Sequence, residues 1–269
     1  MTELIVDSHC HLDYDGLANQ LPAVLSRAKE QGVGLMLSIS SRVKNFPRLL
    51  AIAETHENIF CTVGTHPHHA HEELNVSVAD LVKLTQHPKV VGIGEAGLDY
   101  HYDLSPRDAQ MQGFKNHIAA ARESNLPLVI HTRMAEEDTA RVLEEEMGKG
   151  AFKAVLHCFT SQQWLAEMGV ELGLYVSFSG ILTYKNAEDL RTAAKSLPID
   201  SLLVETDAPF LAPVPFRGKD NEPSYVVKTL EQLAALRGLS RDEMAYMTSA
   251  NFFRLFDKVE VPATFRKAA

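Results

Sequence analysis

The chain has 269 residues, of which 45% are hydrophobic and 23% are charged, a balance typical of a globular protein with a large core. Its formal net charge of −9 disfavours a protein that holds long nucleic acid through many phosphates, because such binding depends on positive charge. Any nucleic-acid substrate would therefore be held by a few contacts or by a metal.

The N-terminal segment, MTELIVDSHCHLD, has no basic start and only a short apolar run before Asp7, so we expect no signal peptide. No stretch approaches the ~20 apolar residues that a membrane helix needs. Cys10, Cys61 and Cys158 are odd in number and lack CxxC spacing, which predicts neither a disulfide framework nor a cysteine-rich zinc site. Together these features predict a cytoplasmic protein.

Short apolar runs rich in Val, Ile and Leu alternate along the chain with stretches of helical periodicity. Nearly continuous apolar strands of this length are typical of a parallel sheet that is buried on both faces. Eight such runs predict eight strands, at residues 4–6, 34–39, 59–63, 90–93, 128–130, 153–156, 174–178 and 201–204.

The stretches between the runs predict helices. An apolar stripe at helical spacing covers residues 21–28. Ser105, which is followed by proline, predicts a helix start with Ser105 as its N-cap. Ser240 and Glu243 form a capping-box pair that predicts a C-terminal helix. The hydrophobic side chains at 252–256 are expected to plug that region against the core.

Eight strands that alternate with helices predict an α/β fold, a single (β/α)8 TIM-type barrel covering residues 1–269, with the helices after about residue 225 packed on the barrel. The alternative is an open doubly wound sheet, which usually has fewer strands. No repeat or linker divides the chain, and residues 208–223 are interpreted as a long loop after the eighth strand.

Side chains that can bind metals follow five of these runs. His9 and His11 follow the first, and because they lie two residues apart on an extended chain, they point to the same side. The others are placed at or just past the ends of the fourth, fifth, sixth and eighth strands: Glu95, His131, His157 and Asp207. The carboxyl ends of barrel strands converge on one mouth. The sequence therefore predicts a two-metal site there, with Glu95 able to bridge ions ~3.5–4 Å apart.

A single histidine after a strand is more often a loop or core residue than a metal ligand. Recurrence at five separate strand ends favours the metal site over that alternative. His66, after the third run, is predicted to contact substrate. His68, His69 and His71 follow it and are expected to belong to a structural loop.

A cysteine nucleophile is a rival chemistry, since Cys10 and Cys158 each neighbour a proposed ligand. Neighbouring residues on a strand point to opposite faces, so if His9 and His157 face the mouth, these thiols face away from it. We therefore expect both thiols to be buried. The chain contains no GxSxG, P-loop or Rossmann glycine pattern.

Between residues 7 and 223 the chain contains, in order, the motifs DSHCHLD, GTHPH, GIGEAGLDY, LVIHTR, LHCF and ETDAPFLAP, followed by RGKDNEP. On these motifs it resembles the TatD family of metal-dependent deoxyribonucleases, within the amidohydrolase superfamily. The resemblance covers nearly the whole chain, and the motifs taken together are highly specific.

The resemblance implies the metal ligands: one ion is bound by His9, His11 and Asp207, the second by His131 and His157, and both by Glu95. His66 is implied to contact a substrate phosphate, and Glu205 to support a metal ligand from outside. Arg217 and Asn221, in the loop after the eighth strand, are implied to line the site or anchor the loop, with Arg217 expected to bind substrate.

The resemblance and the predicted site favour a hydrolase of DNA phosphodiester bonds, acting as a 3′–5′ exonuclease on single-stranded or frayed ends. Asp207 and Glu95 are the expected catalytic residues, with Asp207 orienting water or accepting its proton. The expected cofactors are two divalent ions, with Zn, Mg and Mn all open.

DNA is expected as a substrate rather than a stable partner, no membrane partner is expected, and a monomer is favoured. Two alternatives stay open. The same dinuclear centre could hydrolyse an amide, a lactone or an aminoacyl ester, because substrate choice depends on loops. The chain could also be a metal-binding or scaffold protein without activity.

Overall fold

Eight parallel strands form one sheet in the computed structural model, in the order in which they occur along the chain. The structure describes residues 4–266, except for the side chains at positions 264 and 266. The strands are β1 Ile5–Cys10, β2 Val33–Ser38, β3 Ile59–Val63, β4 Val90–Asp99, β5 Leu128–Arg133, β6 Ala154–Leu156, β7 Tyr175–Phe178 and β8 Leu202–Val204.

Hydrogen bonds between β1 and the segment after β8 close the sheet into a barrel. The backbone N–H of Asp207 donates to the carbonyl of His9 at 2.9 Å. The backbone N–H of His11 donates to the carbonyl of Ala208 at 2.8 Å. The seam therefore passes through the segments that carry three of the predicted metal ligands.

Helices lie between successive strands, which confirms the predicted (β/α)8 barrel and excludes the open doubly wound sheet. In the part of the chain that the structure describes, no helix has both the length and the apolar character needed to cross a bilayer. The helices are α1 Asp15–Ala18, α2 Leu21–Glu30, α3 Phe46–Thr55, α4 Val78–Leu84, α5 Arg107–Ser124, α6 Glu136–Lys149, α7 Gln163–Glu171, α8 Glu188–Ser196, α9 Val226–Arg237, α10 Arg241–Leu255 and α11 Ala263–Arg266.

Two of the helix predictions are confirmed. The stripe predicted at residues 21–28 lies in α2, which buries Val24 and Ala28. At the start of α10, the Ser240 hydroxyl accepts the backbone N–H of Glu243, whose carboxylate accepts the backbone N–H of Ser240. This is the predicted capping box, and it satisfies two donors that a helix start otherwise leaves without partners.

The predicted N-cap at Ser105 is wrong, because α5 begins two residues later, at Arg107. The Ser105 hydroxyl donates instead to the carbonyl of His68 at 2.9 Å. It also lies 2.6 Å from His71 Nδ1, from which it accepts. This hydroxyl therefore holds the histidine-rich segment after β3 in place rather than capping a helix.

The amino end of the barrel is closed by α10, as expected for the hydrophobic side chains at 252–256. Phe252 and Phe256 are fully buried and belong to a cluster with residues near the strand starts, among them Val91, Val129 and Leu203. The Ser249 hydroxyl donates to the carbonyl of Leu4 at 2.8 Å, just before β1. The amino end is therefore a sealed apolar core, which leaves the carboxyl end as the open mouth.

β1, β4 and β5 extend beyond the apolar runs that predicted them. Pairing between neighbouring strands continues through the polar residues that end each run. His9, Glu95 and His131 consequently lie inside strands, and the prediction that each lies at or past a strand end is wrong in that respect. His11, His157 and Asp207 do follow the ends of their strands.

Candidate metal centre

The barrel mouth brings together all six side chains predicted to bind metal, with His66 beside them. They form three groups in which one nitrogen or oxygen of each member lies within 4.8 Å of those of the others: His9, His11 and Asp207; His9, Glu95 and His157; His66, Glu95 and His131. The groups share His9 and Glu95, so they form one continuous cluster. We call it the mouth cluster.

Glu95 lies in the middle of the mouth cluster, and its two oxygens face different imidazoles. Oε1 is 2.8 Å from His157 Nε2 and 2.9 Å from His131 Nδ1. Oε2 is 3.5 Å from His9 Nε2 and 3.9 Å from His11 Nε2. A carboxylate placed in this way can serve two ions, one through each oxygen.

A β-bulge in β4 presents Glu95 to the mouth. Gly94 pairs with Val129 of β5 and Ala96 pairs with Ile130, so Glu95 is the extra residue between two pairs. Gly94 has a φ of 107°, and a Cβ there would lie 2.6 Å from the carbonyl oxygen of Val129. Only glycine fits this position. The bulge, rather than the end of the strand, therefore directs Glu95 inward.

Outer partners fix the orientation of three of the four histidines that are predicted to bind metal. His11 Nδ1 lies 3.1 Å from the carbonyl oxygen of Ile39, and His157 Nδ1 lies 3.3 Å from Glu205 Oε1. In the neutral ring, each Nδ1 donates outward, which leaves the lone pair of Nε2 directed to the cluster. His131 is reversed, since its outward nitrogen is Nε2 and its Nδ1 faces inward.

Inward nitrogens of the mouth cluster face one another at short range. His9 Nε2 lies 3.3 Å from His11 Nε2, and His131 Nδ1 lies 3.4 Å from His157 Nε2. Lone pairs at these distances repel unless positive charge lies between them. Imidazole nitrogens with carboxylate oxygens are a donor set that Zn²⁺ takes, and imidazole also suits other transition metals. The residues present therefore fit a divalent metal centre.

Attraction between the imidazoles and the carboxylates of the mouth cluster offsets the cost of burying these charged groups. Burial opposes ionisation of Glu95, yet the imidazoles of His157 and His66 lower its pKa well below its usual range. Burial likewise opposes protonation of His157, yet the carboxylates of Glu95 and Glu205 raise its pKa well above its usual value. The carboxylates therefore favour positive charge in the cluster, which protons or metal ions can supply.

His66, the expected substrate contact, also reaches the cluster. Its Nδ1 accepts the backbone N–H of His68 at 3.0 Å, so the neutral ring carries its proton on Nε2. That nitrogen lies 3.3 Å from Glu95 Oε1. Burial lowers the pKa of His66 to about 3, which favours the neutral ring. A neutral ring with this tautomer offers a hydrogen-bond donor to the site, as a phosphoryl oxygen requires.

Asp99 and His68 also reach the site, although neither was predicted to belong to it. Asp99 is fully buried at the end of β4. Its Oδ2 lies 3.1 Å from His131 Nε2 and 2.9 Å from His68 Nε2. The loop expected at His68 therefore also places its imidazole against Asp99, which in turn contacts His131. Asp99 directly follows the apolar Leu98, as His131 follows Ile130 and His157 follows Leu156, so the same sequence signal pointed to it.

Asp7 was also missed, and it holds the barrel seam together beneath the cluster. Its buried carboxylate accepts the Thr206 hydroxyl at 2.6 Å and the Thr206 backbone N–H at 2.9 Å. Burial raises the pKa of Asp7 to about 8, although these hydrogen bonds oppose that shift. Because Thr206 lies between Glu205 and Asp207, this contact positions both carboxylates.

The two cysteines next to ligands behave differently. Cys10 is fully buried, with its Sγ 3.5 Å from the carbonyl oxygen of Leu37, as expected for a thiol that faces away from the mouth. Cys158 lines the mouth cavity, so the same prediction is wrong for it. The strand ends at Leu156 and Cys158 has a φ of 41°, so strand alternation no longer applies. Burial raises the pKa of both thiols well above the usual range, which disfavours a thiolate nucleophile.

A cavity of about 720 Å³ opens over the mouth cluster, and we call it the mouth cavity. Its rim carries large side chains, including Tyr102, which is 53% exposed, and Phe210, which is 48% exposed. A second cavity of about 610 Å³ adjoins it. Thr160 and Ile181 line both cavities, so the two cavities lie side by side.

The structure separates the two residues expected in the loop after β8. Arg217 lines the second cavity, where its guanidinium lies 4.5 Å from the centre of the Tyr184 ring. Asn221 is buried, and its Nδ2 donates to the carbonyls of Thr206 at 2.8 Å and Phe210 at 2.6 Å. Asn221 therefore anchors the loop, whereas Arg217 is available to a ligand.

Known proteins match the chain over nearly its whole length. A protein-family model described as TatD related DNase matches residues 6–257. The uncharacterized metal-dependent hydrolase YabD of Bacillus subtilis is 41% identical over 253 residues, which cover 94% of this chain and 99% of that protein. The 3′-5′ ssDNA/RNA exonuclease TatD of Erwinia tasmaniensis is 36% identical over 241 residues, which cover 87% of this chain and 92% of that protein.

The fold comparison agrees with these sequence matches. The crystal structure of YJJV, a TatD homologue from Escherichia coli, superimposes with a TM-score of 0.89 at 31% identity. The superposition covers 97% of this chain and 100% of that one. The helices after β8 therefore belong to the shared architecture.

Proposed function

Because the chain belongs to the TatD-related DNase family of metal-dependent hydrolases, we propose that it hydrolyses phosphodiester bonds of DNA. The proposed action is that of an exonuclease on single-stranded or frayed 3′ ends, the polarity being that named for the Erwinia relative. The observation that carries the proposal is the position of Glu95, whose two oxygens face separate imidazole pairs below an open cavity.

The mouth cluster contains the donors for two divalent ions. His9, His11 and Asp207 would hold one, His131 and His157 the other, and Glu95 both, with Glu205 supporting His157 from outside. Divalent ions held there lower the pKa of water towards ~7 and offset charge that develops on a phosphoryl oxygen. The donor set suits Zn or Mn better than Mg, which prefers oxygen ligands.

Asp207 is placed to handle the proton of the attacking water. Its side chain is 14% exposed at the mouth, so substrate and water can reach it. Oδ1 lies 3.5 Å from both His9 Nε2 and His11 Nε2, which leaves Oδ2 to accept a proton. In this role Asp207 orients the water and removes its proton as the new phosphorus–oxygen bond forms. The phosphorus–oxygen bond of the ester breaks in the same displacement, and the leaving oxygen takes up a proton to become a hydroxyl.

His66 supplies a hydrogen bond to the substrate. Its Nε2–H faces the mouth cluster, 3.3 Å from Glu95 Oε1. The hydrogen bond from the backbone N–H of His68 to Nδ1 fixes that orientation. A phosphate bound there would accept this hydrogen bond on an oxygen that is not part of the broken bond. Because the donor is preorganised, it contributes most when negative charge builds up on that oxygen.

The shape and charge of the mouth favour an unpaired end of the strand. A cavity of about 720 Å³ is in the size range of sites that enclose one small ligand. An unpaired nucleotide can enter such a cavity, whereas a stacked base pair with two backbones is far larger. The net charge of −9 also disfavours long contact with a duplex, since few cations are available for its phosphates.

The test uses one single-stranded oligonucleotide labelled at either its 5′ or its 3′ end. With Mg²⁺, Mn²⁺ or Zn²⁺, we expect the 5′-labelled strand to shorten progressively. The 3′-labelled strand should release its label as a mononucleotide at the first cut. A blunt duplex of the same sequence serves as the matched control and should be degraded more slowly.

A parallel panel of amide, lactone and aminoacyl ester substrates tests the alternative use of the same centre. DNA that stays intact with all three metals while one of these bonds is cut would overturn the proposed nuclease function. Internal cleavage of a circular single strand would refute the exonuclease mode alone.

A further inference from the structure

Two arginines, one in the mouth cavity and one in the second cavity, differ from every other arginine side chain that the structure describes. Arg133 and Arg217 make no hydrogen bond and no ion pair through their guanidinium groups within the described part of the chain. All the others do: Arg27, Arg42, Arg48, Arg107, Arg122, Arg141, Arg191, Arg237, Arg241 and Arg254. In a chain with a net charge of −9, these two guanidinium groups keep their N–H donors free of protein acceptors among the described residues.

Each of these arginines lies against a tyrosine ring. The Arg133 guanidinium is 4.8 Å from the centre of the Tyr102 ring, and that of Arg217 is 4.5 Å from the centre of the Tyr184 ring. A cation–π contact holds a guanidinium in place without using its N–H donors. All five donors of each group are therefore left for a ligand.

The two pairs lie in the two adjoining cavities. Arg133 ends β5, and it lines the mouth cavity together with Tyr102 and the mouth cluster. Arg217 and Tyr184 line the second cavity, which meets the mouth cavity at Thr160 and Ile181. The Arg133–Tyr102 pair thus lies in the cavity over the mouth cluster, and the Arg217–Tyr184 pair lies in the adjoining cavity.

We propose that Arg133 and Arg217 bind successive phosphates of one DNA strand whose scissile phosphate lies at the mouth cluster. The proposal rests on the proposed nuclease function and adds the path of the strand, which runs through the second cavity. A guanidinium forms paired hydrogen bonds with a phosphate in one plane, which gives direction as well as affinity.

The second cavity favours directed contacts over a general attraction. Its lining includes the carboxylates of Glu136 and Asp189 as well as neutral polar side chains such as Asn186. Two acids and one arginine do not create a positive field. Binding there has to come from the N–H groups of Arg217, which suits one phosphate at a defined place rather than a long sliding strand.

The test compares a long substrate with one that has a single phosphodiester. The long substrate is oligothymidylate, and the short one is the p-nitrophenyl ester of thymidine 5′-monophosphate. The short ester places its only phosphate at the mouth cluster and has no further phosphate for either arginine to bind. We expect Arg133→Met and Arg217→Met each to lower kcat/KM on oligothymidylate by about tenfold, as for loss of a charged hydrogen bond. On the short ester both variants should match the wild type.

Arg107→Met is the matched control. Arg107 also lies over a tyrosine, 4.0 Å from the centre of the Tyr100 ring, but it is paired with Asp103 and lines neither cavity. The change in charge is the same, so a loss on oligothymidylate in this variant would assign the effect to net charge and overturn the proposal. Equal losses on both substrates in Arg133→Met or Arg217→Met would also overturn it.

A binding measurement separates this inference from the proposed function. The dissociation constant of labelled oligothymidylate is measured by fluorescence anisotropy in EDTA at several salt concentrations. Each lost phosphate contact on a single strand should reduce the slope of log Kd against log salt by about 0.7. Unchanged slopes refute the arginine subsites even if the protein is a nuclease. A reduced slope supports them even if DNA is not cut.

Discussion

The two ends of the barrel use the same strands for opposite purposes. At the amino end, Phe252 and Phe256 are fully buried against valine and leucine side chains near the strand starts. At the carboxyl end, imidazoles and carboxylates face one another at 2.8 to 3.5 Å below an open cavity. The first arrangement stabilises the fold by removing apolar surface from water, and the second places buried ionisable groups close together. Substitutions at the two ends should therefore change different properties.

The largest expected effect is that of Glu95→Gln at the carboxyl end. The variant keeps the volume of the side chain but removes its charge. We expect kcat/KM for DNA to fall by a factor on the order of 10³ or more, with less bound metal, because the ions lose the ligand they share. Hydrolysis rates and metal analysis of the purified variant test this.

Glu54→Gln is its control, because Glu54 is 53% exposed and its carboxylate contacts only His87 among the described residues. That variant should keep both activity and metal content. Full activity in Glu95→Gln would contradict the bridging role.

At the amino end, Phe252→Ala should lower the free energy of unfolding by about 3–5 kcal/mol, because it leaves a cavity in a sealed core. Urea denaturation measures the loss. Below the unfolding transition, kcat/KM for DNA should be unchanged, since the ring is far from the mouth cluster. Leu74→Ala, at a side chain that is 60% exposed, is the control and should have little effect on stability. A large loss of activity in folded Phe252→Ala would show that the two ends are coupled.

Removal of metal from the carboxyl end should lower the thermal stability of the protein, by less than Phe252→Ala does. Ions that bind only the folded chain stabilise it, by about 2.7 kcal/mol at a metal concentration 100 times the dissociation constant. Treatment with EDTA should therefore lower the Tm of the wild type, and metal addition should restore it. Glu95→Gln should show a smaller shift. Identical melting curves with and without metal would argue against the predicted metal centre.

The smallest of these effects is expected for Asp99→Asn. Asp99 accepts from the outer nitrogen of His131, and an amide holds that imidazole less firmly than a carboxylate does. Metal affinity should fall by about 10- to 100-fold, as measured by calorimetric titration. Asp103→Asn is the control, because Asp103 is 46% exposed and pairs with Arg107 away from the cluster. Wild-type affinity in Asp99→Asn would remove this residue from the site.

Much of the fold and of the mouth cluster could be predicted from the sequence, because both depend on local patterns. Apolar runs indicated eight strands, and polar side chains near their carboxyl ends indicated the cluster. Alternation of side chains along a strand failed as a guide where a bulge in strand pairing, or a loop, changed the direction of a side chain. Glu95 reaches the mouth through a bulge, and Cys158 lines the mouth because its backbone has left the strand.

By itself, the sequence determined the eight strands and the residue types near their carboxyl ends, because apolar runs and the polar residues that follow them are local features of the chain. Only the tertiary structure decided which atoms meet. It placed the Asp99 carboxylate between His131 and His68, and it placed Arg217 in a second cavity rather than in the mouth. These contacts depend on strand register and on loops from different strands, which no local pattern encodes.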